Sequence, residues 1–86
     1  MHEMSLVKDI VRKAEAVARE AGSPRILGVT LRIGPLSGLS VAALREHVAT
    51  AARGTMAEGA KVEVLVDEKI TAGAQELTLE SVEVEE

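Results

Sequence analysis

The first three residues of the chain, Met1-His2-Glu3, place three nitrogens within one short loop: the Met1 α-amine, the His2 backbone nitrogen and the His2 imidazole. Such a set chelates a metal ion. Nitrogen and oxygen donors in a square-planar or tetragonal arrangement suit Ni(II) or Cu(II) better than Mg(II) or Ca(II), which take oxygen ligands. A fourth donor is available from the Glu3 carboxylate, from its backbone nitrogen, or from elsewhere. The plain alternative is a frayed, solvated terminus without a role. Little competing chemistry is present. The sequence contains no Cys, which removes disulfides, thiolate metal sites and cysteine nucleophiles together. The other histidine, His47, falls beside the apolar face of an expected helix, where a half-buried residue with a local hydrogen bond is a simpler reading than a ligand. Gly34-Pro35-Leu36-Ser37-Gly38 lacks the Lys-Ser/Thr of a phosphate-cradling loop and reads as a connector. No Ser stands in a recognisable catalytic loop, and apart from the two histidines there is no plausible general base, so the chain does not read as an enzyme.

The terminal donors need a mount, and the next residues supply one. Leu6, Val7, Ile10, Val11, Ala14, Val17, Ala18 and Ala21 recur at steps of three and four, the mark of one buried helical face, with Ser5 as the expected N-cap. Gly22-Ser23-Pro24 should end that helix. Arg25 to Ile33 reads as a half-buried strand in which Leu27, Val29, Leu31 and Ile33 alternate with Gly28, Thr30 and Arg32. A second helix is expected from an N-cap at Ser40, burying Val41, Leu44, Val48 and Ala51 and closing at Gly54. Lys61 to Thr71 reads as a long strand and Glu76 to Val84 as a further one, joined by a short turn. In the last strand the apolar parity switches from Leu77 and Leu79 to Val82 and Val84, which predicts a β-bulge near Glu80-Ser81.

At 86 residues the chain makes one domain over 1–86, and a domain of this size buries only about 60 to 65% of its unfolded surface. It is 47% apolar yet has no Phe, Tyr or Trp, so its core must be assembled from Val, Leu, Ile, Ala and Met. The expected fold is a small α+β (α/β) two-layer domain of order α-β-α-β-β, two helices on one face of a three-stranded mixed sheet. The sheet's other face, with Leu65 pointing outward, has room for a covering partner, and a homodimer is possible. A net charge of −4 without basic or aromatic clusters argues against nucleic acid. No segment approaches the ~18 apolar residues of a membrane span, and no leader-like start is present, so a cytoplasmic location is expected.

Several stretches, in order, resemble one family. Met1-His2-Glu3-Met4-Ser5-Leu6, Val29 to Ile33 running into Gly34-Pro35-Leu36-Ser37-Gly38, Ala43-Leu44-Arg45, Arg53-Gly54-Thr55 with Glu58-Gly59-Ala60, and Ser81-Val82-Glu83-Val84-Glu85 are similar to the HypA/HybF hydrogenase maturation nickel chaperones. The resemblance implies that His2 is the essential Ni(II) ligand, with the Met1 amine or backbone nitrogens and Glu3 close by. It also implies work alongside a HypB-like GTPase and a hydrogenase large subunit. Family members insert a zinc domain with two Cys-x-x-Cys pairs between their last two strands. Here Asp67 to Gln75 spans that gap without cysteine, so a short hairpin at about 67–75 is expected in its place and no zinc is expected. The aromatic residues that members often carry in the second helix are also absent. Two functions follow: a zinc-less nickel metallochaperone, or a paralogue that keeps the fold as an interaction or regulatory subunit without carrying metal.

Overall fold

The computed structural model describes residues 3–34, 38, 40–67 and 77–86, the side chain of Glu3 excepted. The elements follow the expected order: α1 (Glu3–Glu20), β1 (Ile26–Ile33), α2 (Val41–Ala52), β2 (Lys61–Val66) and β3 (Leu77–Val84). In α1 the buried stripe is Val7, Ile10, Val11, Ala14 and Ala18. Val17 and Ala21, expected on that stripe, are exposed, Val17 at 44%. The helix also begins three residues earlier than expected. Ser5 is not its N-cap but an exposed residue of the first turn. Half-buried Met4 lies in that same turn.

The far end of α1 stops as the sequence predicts. Ser23 N–H donates to Ala18 O at 2.9 Å and Gly22 N–H to Arg19 O at 3.0 Å, with Gly22 at φ 72 in the left-handed region that a side chain disfavours. Ser40 caps α2, its side chain accepting from Ala43 N–H at 3.2 Å. Leu44, Val48 and Ala52 are the buried residues of α2. The turn into β2 is held by its own polar groups: the Thr55 hydroxyl donates to Ala52 O and accepts from Ala57 N–H, and the Glu58 carboxylate accepts from Gly54 N–H. That network places Ala57 in the core at 4% exposure.

The sheet order is β2-β1-β3, β1 running parallel to β2 and antiparallel to β3. The two last strands therefore flank β1 and do not pair with each other. The hairpin expected at about 67–75 falls largely on residues 68–76, which lie outside the described residues. β2 ends at Val66, short of the expected Thr71, with Asp67 N–H adding one more bond to Ile33 O. The predicted bulge in β3 is present: Thr30 pairs with Ser81 and Leu31 with Leu79, leaving Glu80 as the extra residue. A second irregularity was not expected. Ile26 pairs with Val84 and Gly28 with Glu83, so Leu27 is extra in β1. It turns outward at 48% exposure while Ile26 is fully buried, breaking the alternation that put Leu27 with Val29.

Val29, Leu31 and Ile33 of β1 pack in one core with both helices, joined by partly buried Val62 and Val64 of β2 and Leu77, Leu79, Val82 and Val84 of β3. Both helices thus cover the same face, α1 against β1 and β3 and α2 against β2. The opposite face carries Thr30, Glu63, Thr78 and an Arg32–Glu80 ion pair at 2.6 Å, with half-buried Leu65 beside Arg32. None of the described helices is long and apolar enough to cross a membrane.

Candidate metal centre

Connectivity decides where the terminal residues go. The Ser23 hydroxyl, just past α1, donates to Glu85 O at 2.6 Å, and Ile26 N–H at the start of β1 donates to Met56 O at 2.9 Å. One end of the domain therefore gathers the end of α1, the start of β1, the end of β3 and the α2–β2 turn. The 18 residues of α1 span about 27 Å at 1.5 Å per residue, close to the roughly 26 Å of eight-residue β1. Glu3 consequently lies at the other end, where β1 stops at Ile33, Ser40 opens α2, β2 stops at Val66 and β3 starts at Leu77. Gly34, Ser40, Asp67 and Leu77 thus share that end with Glu3.

Of the three expected ligand residues, Glu3 is the first residue of α1, while Met1 and His2 lie outside the described residues. The backbone at Glu3 has a property that matters for metal chemistry. The first four N–H groups of a helix lack intrahelical acceptors, and the helix dipole favours negative charge there. A deprotonated amide nitrogen at this position breaks no helix hydrogen bond. Among the described residues no group of three His, Asp or Glu is clustered to hold a metal. His47 is half-buried on α2 beside the Leu44–Val48 stripe, in the position expected of it.

Two polar residues that drew no attention in the sequence carry structural weight. Ser23 reads in sequence only as part of a helix stop, yet its side chain ties the end of α1 to the end of β3. Asp67 reads as the start of a connection. At the end of β2 it lies close enough to Arg32 to help raise the guanidinium's pKa, an effect due first to the hydrogen bond from Arg32 to Glu80. No local pattern announces either contact, since both depend on strands brought together from distant parts of the chain.

A family profile described as HypA, a hydrogenase/urease nickel incorporation metallochaperone, matches residues 1–73. The hydrogenase maturation factor HypA of Chlorobaculum tepidum is 44% identical over 62 residues, 72% of this chain and 55% of that protein. The protein of the same name from Chloroflexus aurantiacus is 47% identical over 68 residues, 79% of this chain and 58% of its own length. That of Methanopyrus kandleri is 39% identical over 67 residues, 78% of this chain and 47% of its own. This chain thus spans about half the length of the curated relatives it matches. Among solved structures, the solution structure of the Ni metallochaperone HypA from Helicobacter pylori superposes with a TM-score of 0.84 at 18% identity, covering 98% of this chain and 97% of that one. At that identity the likeness speaks for the fold.

Proposed function

Because this chain belongs to the HypA family of nickel incorporation metallochaperones, we propose that it binds one Ni(II) at its amino terminus and passes it on during [NiFe] hydrogenase maturation. The His2 imidazole is the essential donor in this reading, with the Met1 amine, backbone nitrogens and Glu3 completing the set. The observation that carries it is the start of α1 at Glu3. The donors are joined without a linker to a helix whose next turns are buried at Val7, Ile10 and Val11, so their anchor is part of the core. The unbonded amides and positive dipole of the first turn add to this, since both favour an anionic amide ligand. Ni(II) is cargo here, held by nitrogen and oxygen alone, and a chain without Cys is expected to take no zinc. The partners in transfer are a HypB-like GTPase and the hydrogenase large subunit, and the cytoplasm is the expected setting.

Isothermal titration of Ni(II) into protein with its native start, into His2→Ala and into a form with Gly-Ser added before Met1 tests the site. Only the native start is expected to bind tightly, and its affinity is expected to fall in acid, because the imidazole must be neutral and the amine must lose its proton. Equal binding by all three forms would remove the terminal site.

A further inference from the structure

The two edges of the sheet are defended unequally. β3 is interrupted by the bulge at Glu80, exposes Glu80 and Glu83, and runs into Glu85 and Glu86, and bulges and charges of this kind discourage pairing with another chain. β2 keeps register with β1 through six residues without a break, contains neither Pro nor Gly, and ends on Val66 at 50% exposure. Asp67 N–H donates inward to Ile33 O. Backbone polar groups alternate sides along a strand, so the odd-numbered residues of β2 face β1. The outward groups then belong to Val62, Val64 and Val66.

Charge chooses among the ways two such edges can meet antiparallel. Centring the pair on Glu63 sets that carboxylate against its own copy, and centring it on Leu65 sets Glu63 against Asp67; like charges directly opposite are unfavourable. Centring on Val62 runs the pairing into the α2–β2 turn, where Ala60 N–H is already bonded to Ala57 O. Centring on Val64 places Lys61 opposite Asp67 twice, Val62 opposite Val66 twice, and uses all three outward backbone positions.

We propose that the β2 edge is a self-association surface, on which two copies of this chain pair antiparallel about a two-fold axis at Val64 and join their sheets into one of six strands. The partner is a second copy because the Lys61 and Asp67 charges complement each other only when the edge meets itself in this register. The proposal stands independently of the nickel reading.

The chain has no Cys, so introduced thiols report the register. Across the two-fold, Glu63 and Leu65 form non-hydrogen-bonded pairs, whose Cα separation near 4.5 Å suits a disulfide. Under mild oxidation, an equimolar mixture of Glu63→Cys and Leu65→Cys proteins, one of them size-tagged, is expected to give the mixed disulfide in preference to either self-linked product. Light scattering across a concentration series is expected to pass from the mass of one chain to twice that mass. Lys61→Asp, exposed and away from the core, is expected to raise the midpoint of that transition by roughly tenfold. A preference for self-linked Glu63→Cys, a monomer mass up to millimolar concentration, or a midpoint unmoved by Lys61→Asp each overturns the proposal.

Discussion

Replacing Ser23 with Ala removes a contact between the two chain regions that meet farthest from the amino terminus. The hydroxyl has one proton, which reaches Glu85 O at 2.6 Å and Arg25 O at 3.0 Å, and its oxygen accepts from Arg25 N–H at 3.3 Å. One donated and one accepted bond are thus lost, each contributing about 0.5 to 1.5 kcal/mol net. Glu85 is exposed, so water replaces part of the loss at that carbonyl. The expected destabilisation is therefore about 1 to 2 kcal/mol. A domain of this length has only roughly 4 to 13 kcal/mol to lose at 0.05 to 0.15 kcal/mol per residue. In a thermal melt followed by circular dichroism the change corresponds to a fall in Tm of roughly 4 to 16 °C. In urea the midpoint should drop with an unchanged slope, because no new surface is exposed in the native state. Native-state hydrogen exchange should quicken at the Glu85 amide, which donates to Arg25 O, while Ni(II) titration should be unaffected at the opposite end of the domain. A stability change under about 0.3 kcal/mol would refute the assignment of Ser23 as the tie between α1 and β3.

Leu31→Ala empties a fully buried site on the central strand and is expected to cost about 3 to 5 kcal/mol, read from the urea midpoint. A core without aromatic residues has no large neighbour to collapse into the gap. Ser40→Ala removes the cap at Ala43 N–H and is expected to cost about 1 kcal/mol in the same measurement. Gly22→Ala forces a side chain into φ 72 with nothing to clash against, so the loss should be the backbone cost alone, about 1 to 2 kcal/mol, in a thermal melt.

The helices, the strands and the fold class were legible because they rest on local pattern. Ser40 followed by an apolar stripe is a cap and a helix whatever surrounds it, and Gly22-Ser23-Pro24 ends a helix for reasons of backbone geometry. Even the bulge at Glu80 could be read, since the slip of apolar parity between Leu79 and Val82 is written along a single strand. The compensating slip at Leu27 could not be. Ile26 and Leu27 are equally apolar, and the choice of which turns inward is made by the strand opposite, where Val84 meets Ile26. The strand order, with β1 between β2 and β3, is likewise set by which strands meet and not by any local pattern. Among the core positions lost and gained, Val17 follows from how α1 lies on its neighbours and Ala57 from a turn tied by Thr55 and Glu58.

For the candidate site, sequence alone supplied the donor types on offer: an imidazole and a carboxylate side by side at His2 and Glu3, in a chain that offers no thiolate. Donor type is a property of residues and needs no fold. Tertiary structure decided the mount and its surroundings. It started α1 at Glu3 rather than after Ser5, with Met4 half-buried in the first turn. It also brought the end of β1, the start of α2, the end of β2 and the start of β3 to the same end of the sheet as Glu3. That convergence depends on β1 pairing with strands from both sides of the chain, which no run of residues encodes by itself.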